Sequence, residues 1–195
     1  MRCHLLALFM LLCSVSMSAQ SDSVFAVELV VTASIQATQY EELPTIQSLD
    51  KRFTGSAFLG KVIWRPNHLL GVGLQSGYIT FSNEQLSIPG NPSIPTVDVL
   101  LTAVPVHLVL SMNPGDFDFG VGIGGYVLQS RWRLDESPRV NSTDVEYGIN
   151  SWIGYEFTVA ERFTIGPEIS LHVLSNRGVA SLAAGVRIRY DVIRY

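Results

Sequence analysis

The feature that most constrains this chain is a strict period of two held over unusual length. In "FAVELVVTASIQATQ", starting at Phe25, the set Phe25, Val27, Leu29, Val31, Ala33, Ile35, Ala37 alternates with Ala26, Glu28, Val30, Thr32, Ser34, Gln36, Thr38. Successive side chains of a strand point to opposite faces, so this is one long strand with a greasy side. It runs about fifteen residues, where globular strands typically have roughly 5–6. Similar segments recur near 55–66, 69–81, 97–111, 117–132, 145–159, 163–173 and 179–191, eight in all, and no helical period appears. Long amphipathic strands must bury or otherwise satisfy one face each. The fold class is therefore all-β.

The connections sort by parity. After the first, third and fifth segments come "EELPTIQSLDKRF", "SNEQLSIPGNPSIPT" and "RLDESPRVNSTD", all long, polar and rich in Pro, Asn or Asp. After the second, fourth and sixth come "PNH", "MNPGD" and "AER", each of tight-turn length, while "LSNRG" after the seventh is short. A sandwich has no reason to sort its loops this way. An up-and-down barrel crossing a bilayer does, with short turns on one side and long loops on the other. Strands tilted through hydrocarbon need about 9–11 residues, and an even number of them closes without an exposed edge. The reading is an eight-stranded antiparallel up-and-down transmembrane β-barrel.

The N-terminus agrees with export. "MRCHLLALFMLLCSVSMSAQ" has a basic start at Arg2, an apolar core from Leu5 and small residues around Ser16, Ser18 and Ala19. This is a cleaved signal peptide over 1–19, leaving 20–195 as the barrel domain. Cys3 and Cys13 both lie in the removed segment, so the mature chain carries no thiol, disulfide or cysteine metal site. Arg2 leaves too, taking the formal net charge from −4 to −5. A mildly acidic chain without basic blocks argues against nucleic acid as a partner.

The stretch "YGINSWIGYEF" decides which face meets lipid. One parity carries Tyr147, Ile149, Ser151, Ile153, Tyr155 and Phe157; the other Gly148, Asn150, Trp152, Gly154 and Glu156. Across the chain the second kind of face collects Glu28, Thr32, Lys61, Arg65, Gln75, Asp118, Glu146, Asn150, Glu156, Glu168, Ser170, His172, Arg187, Arg189 and Asp191. It also collects ten glycines, from Gly71 to Gly185, suited to the narrow interior of eight strands. Both signs of charge share this face, so buried partners can pair there. Glu28, Lys61, Arg65, Glu146, Glu156, Arg187 and Arg189 are the expected pairing residues, in a structural role. Aromatics sit near strand ends, Phe25, Trp64, Phe119, Phe157, Phe163 and Tyr190 at one rim, Tyr78 and Trp132 at the other, as at membrane interfaces. The greasy parity, with Ile149, Ile153, Phe163, Ile165, Pro167, Ile169, Leu182, Val186 and Ile188, then faces lipid. Segment four, "VDVLLTAVPVHLVL", is apolar on both parities, Pro105 removes a ladder donor, and the facing of His107 is open.

With these residues in place, the sequence resembles the small outer-membrane barrels of the OmpA/OmpX type, over about Phe25 to Tyr195. "AVPVHLVL", "FGVGIGGYVL" and "YGINSWIGYEF" carry the resemblance, and "AAGVRIRYDVIRY" resembles the C-terminal signal read by the barrel-assembly machinery. Ala183 departs from the polar residue common in that signal. The chain stops with the eighth strand, without the periplasmic peptidoglycan-binding domain of larger OmpA-like proteins. The resemblance implies a monomer in the Gram-negative outer membrane. Its partners would be outer-membrane lipid and lipopolysaccharide, the assembly machinery, and an unknown loop partner. Its role would be structural or interactive, through long loops over a filled polar lumen.

Catalytic candidates are few. "GVGIGG", Gly120 to Gly125, spells a dinucleotide motif but sits inside a strand with no helix to hold a pyrophosphate. Glu168, Ser170 and His172 share one face of the seventh segment and spell an alternative, an outer-leaflet lipid-modifying hydrolase. Barrel lipid A deacylases, however, place His before Ser and face the lipid. "NST" at Asn141 to Thr143 is a sequon by spelling, in a loop of a bacterial chain. The mature histidines His68, His107 and His172 lack metal-ligand spacing. No cofactor and no catalytic or metal residue is expected, and the chain is expected not to be an enzyme. A narrow pore is the third alternative.

Overall fold

The computed structural model describes residues 25–40, 54–66, 69–86, 97–134, 140–175 and 178–194. The expected signal segment 1–19, the long connections after the first and third strands, His68 and Tyr195 lie outside them. The regular elements among the described residues are β1 (Ala26–Tyr40), β2 (Thr54–Arg65), β3 (Leu70–Leu86), β4 (Val97–Met112), β5 (Phe117–Leu134), β6 (Val140–Tyr155), β7 (Phe157–Ala160), β8 (Phe163–Leu174) and β9 (Val179–Arg194). The pairing order is β6-β5-β4-β3-β2-β1-β9-β8-β7, all antiparallel, and β6 also pairs with β8. That last ladder closes the sheet. β6 and β7 are two lengths of one strand on either side of Glu156, so the closed barrel has eight staves, the number the alternation predicts.

Prolines account for the two breaks in the ladders. Between Gly154↔Glu168 and Phe157↔Ile165 the β6–β7 stave loses its bonds to β8. There Pro167 stands opposite Tyr155 without an N–H to give. The Glu156 amide instead donates to the Asp116 carbonyl at 2.8 Å. The β3–β4 ladder likewise skips from Ser76↔Val106 to Ile79↔Ala103, with Pro105 in the gap. On its other side Pro105 keeps register with Tyr126 of β5. Gly77 lies opposite the gap at φ +155°, and a Cβ there would run into the backbone of β2.

Just past the gap the register shifts between Thr80 and Ser82. The extra residue of this bulge is Phe81, and both it and Ser82 are buried.

The staves are uneven. β3 to β6 reach 16–18 residues, against 12 in β2 and β8. The pairing Asp98↔Arg133 and Trp132↔Val140 continues well past the level where β8 and β9 stop. Residues 82–86 and 140–144, read from sequence as loop, are therefore strand, and the NST stretch lies in exposed β6. The sheet overhangs the barrel at the long-connection end. At the other end the turns are tight; in 113–116 Gly115 adopts φ +69°, the left-handed position such a turn needs.

Candidate functional site

The two faces separate as the alternation requires. Large apolar side chains stand outward around the whole wall: Leu29 and Ile35 on β1, Val62 on β2, Leu74 on β3, Leu108 on β4, Ile123 on β5, Ile149 and Ile153 on β6, Ile169 on β8, Leu182 and Val186 on β9. Ile35 is 76% exposed and Ile123 65%, which no aqueous surface of this extent tolerates. Phe25, Trp64, Phe119, Phe157 and Tyr190 are exposed toward the short-turn end. Phe117, Tyr155 and Phe157 stack there edge to face, with centroids 5.0 and 4.9 Å apart. Tyr78 is exposed toward the other end; the side chain of Trp132 lies outside the described residues.

Inside, charge fills the short-turn half. Asp118, fully enclosed, accepts from Arg65 Nη2 at 3.1 Å, from Trp152 Nε1 at 2.7 Å and from Arg187 Nη1. Arg65 Nε reaches Glu28 at 2.6 Å. Arg187 Nη2 and Arg189 Nη1 hold Glu156 at 3.1 and 2.6 Å. Lys61 pairs with Glu168 at 3.0 Å while its ammonium lies 3.9 Å from the Trp152 ring centroid. Six of the seven residues expected to pair do so in this network. Glu146 makes its contacts outside this network, buried higher in the wall opposite Tyr126. The glycine wall makes room: a Cβ on Gly154 would come within 2.9 Å of Arg187, and one on Gly120 would overlap Trp152.

Above the charges lies a band of amides and rings. His107, whose facing the sequence left open, points inward and is fully buried. Its Nδ1 is 3.5 Å from Gln75 Nε2, and Tyr126 stacks edge-on against its ring at 4.6 Å. Tyr126 Oη is 3.1 Å from His172 Nδ1.

The long-connection half of the lumen corrects the expectation of a polar interior. Leu59, Ile79, Phe81, Leu101, Tyr126, Leu128 and Leu174 meet there in one buried apolar layer. Tyr126 and Leu128 follow Gly120, Gly122 and Gly124 on one parity. Three small residues and then two bulky ones was the available signal for a wall tight at one level and plugged at the next.

Glu168, Ser170 and His172 are all lumenal and buried. Glu168 bonds to Lys61 and His172 to Tyr126. The glycines of "GVGIGG" lie in β5, where a Cβ on Gly122 or Gly124 would crowd Asn150 or His107. Among the described residues no group of three or more His, Cys, Asp or Glu side chains is placed to hold a metal ion.

The sequence matches no protein-family model and no curated protein. Its fold does match solved structures. Neisserial surface protein A superposes with a TM-score of 0.52 at 11% identity, over 87% of this chain and 99% of the other. Ail, the attachment invasion locus protein of Yersinia pestis, gives 0.51 at 10% identity, over 87% and 100%. Identity this low speaks to the fold alone, which is that of the small eight-stranded outer-membrane β-barrels.

Proposed function

We propose that the chain is an integral protein of the Gram-negative outer membrane, exported by a cleaved signal and working as a closed monomeric scaffold for its long-end strands and connections. The observation that carries this reading is the pairing of a largely apolar outer wall with a lumen that holds ion pairs at one level and a buried apolar layer at the next. The outer wall supports lipid and lipopolysaccharide as its surroundings, and β9, the last strand, supports recognition by the assembly machinery. The apolar layer above the ion pairs supports a barrel that does not conduct. Enclosure of Glu168, Ser170 and His172, with Glu168 and His172 bonded elsewhere, supports a non-enzymatic role. What the molecule offers outward is the polar overhang of β5 and β6, with Arg131, Asn141, Ser142 and Thr143 exposed. One similar structure, that of Ail, is of an attachment protein bound to a heparin analogue. That supports an interaction role for such an end.

The mature chain has no thiol, so single cysteines report topology cleanly. Asn141→Cys, on the overhang, is expected to react with a membrane-impermeant maleimide on intact cells. Asp116→Cys, in a short turn, is expected to react only after lysis. Labelling in the opposite sense, or of neither residue in intact cells, contradicts the orientation and with it the proposed role.

A further inference from the structure

The outward face changes character partway up β5 and β6. On β5 the outward parity carries Ile123 and Val127 and then turns polar at Gln129 and Arg131. On β6 it carries Tyr147 and Val145 and then turns polar at Thr143 and Asn141. The ladder sets Gln129 beside Thr143 and Arg131 beside Asn141. Side chains opposed in this way lie about 5 Å apart at Cβ, and the two rows are about 7 Å apart along the strand. The four therefore make one small patch of amide and hydroxyl groups around a guanidinium. Arg131, Asn141 and Thr143 are exposed, and Gln129 is half-buried. Among the described residues Arg131 has no ion-pair or hydrogen-bond partner. Asp144, the acid of this stretch of β6, has the opposite parity. Where other staves end, the exposed outward residues Gln39, Thr54 and Ser175 are uncharged.

The height of the patch indicates what it meets. Strands tilted by about 40° climb about 5 Å per outward row. Arg131 and Asn141 thus stand about 10 Å above Val127 and Val145, the last apolar pair. The polar layer of a bilayer adds roughly 5–8 Å beyond the hydrocarbon on each side, and an arginine stem can lie along the wall to bring its head lower. We propose that this patch holds a phosphate-bearing sugar head group of the outer leaflet, that of lipopolysaccharide. Arg131 takes the phosphate, and Gln129, Asn141 and Thr143 take neighbouring sugar oxygens. A guanidinium matches phosphate with two parallel hydrogen bonds. Position favours a lipid-borne phosphate over a dissolved one, because acyl chains on the apolar wall directly below concentrate the head group at this level. The inference rests on the proposed orientation, with the long-connection end outside the cell.

The test titrates membrane-extracted protein in mild detergent with fluorescently labelled lipopolysaccharide and with the same material stripped of its phosphates. Wild type is expected to bind the first and to bind the second at least about tenfold more weakly. Arg131→Gln is expected to weaken binding of the first by about tenfold and to leave binding of the second unchanged, with Arg131→Lys in between. Arg194→Gln, which removes an exposed arginine at the short-turn end, is expected to bind as wild type. Unlabelled glucosamine 1-phosphate at equal concentration is expected not to displace the labelled lipid. Binding that ignores the phosphates, an Arg131→Gln chain that binds as wild type, equal weakening by Arg194→Gln, or displacement by the soluble phosphosugar each overturns the proposal. The heat shift on gels and the labelling of Asn141→Cys separate the two levels of failure. If both are as expected and Arg131 has no effect, only this site falls. If either fails in otherwise wild-type protein, the membrane reading beneath it falls first.

Discussion

Arg187 is the side chain on which the lumen's charges depend most. It is almost fully enclosed and touches Asp118 and Glu156, with Glu168 3.8 Å from its Nε. Removing it leaves Asp118 to Arg65 and Trp152, and Glu156 to Arg189. Deleting one partner of a buried pair typically costs about 3–5 kcal/mol, because the remaining charge is stranded. Arg187→Met is therefore expected to lose about that much in reversible urea unfolding in lipid vesicles. Lys61→Met is expected to lose less, since Glu168 keeps Arg187 nearby and Trp152 keeps its bond to Asp118. Equal losses, or a larger one for Lys61, would show that the network is not centred where the distances place it. That these residues face one another was legible from parity alone. Which pairs with which was not, because partners such as Lys61 and Glu168 lie 107 positions apart and their meeting depends on height in the barrel. Parity assigns a face but not a level.

The strands show the same division at the scale of elements. Length and alternation identified all eight staves and their order, since an up-and-down chain leaves only neighbour pairing. The interruption at Glu156 went unread. Pro167 was correctly assigned outward, but its missing donor acts on the opposite stave, in a ladder that exists only once the barrel closes. Pro105 was recognised as a lost donor; that the gap would be matched by Gly77 and followed by the Phe81 bulge again needed the pairing. Gly77 is held at positive φ against the β2 backbone. Gly77→Ala is expected to destabilise the barrel by more than about 1 kcal/mol and to slow its insertion into vesicles, read by the cold-gel folded fraction over time. A neutral Gly77→Ala would mean the bulge can form without it. The overhang at 82–86 of β3 and 140–144 of β6 was hidden because SNEQL and VNSTD are polar on both parities but for one terminal residue each, and polar strand reads as loop when no face is buried.

At the scale of the whole molecule, two fillings of the lumen divide its work. Below the apolar layer some polar atoms are buried without a hydrogen-bond partner, Glu28 Oε2 among the charges and Asn150 Oδ1, His107 Nε2 and His172 Nε2 in the band of amides and rings. The apolar half separates these polar levels from the long-connection end. In planar bilayers the wild-type barrel is expected to be electrically silent. Phe81→Ala combined with Leu128→Ala, which thins the apolar layer without touching an ion pair, is expected to admit ions. Steady conductance in wild type would return the pore reading. The sequence could not give this layering, because the ten members of the apolar cluster come from six strands and share only their height.

All of this depends on the greasy face of "YGINSWIGYEF" meeting lipid, and one gel tests that directly. Protein extracted from outer membranes in mild detergent is run unboiled and boiled. A closed, lipid-exposed barrel keeps its fold in the cold sample and migrates apart from the boiled one, and that shift is the expected result. Protein that partitions into buffer without detergent and migrates identically in both lanes would contradict the account at its root. The apolar wall with Ile149, Ile153 and Phe157 would then have to be buried inside, and the ion-paired lumen would be the outside of a different fold.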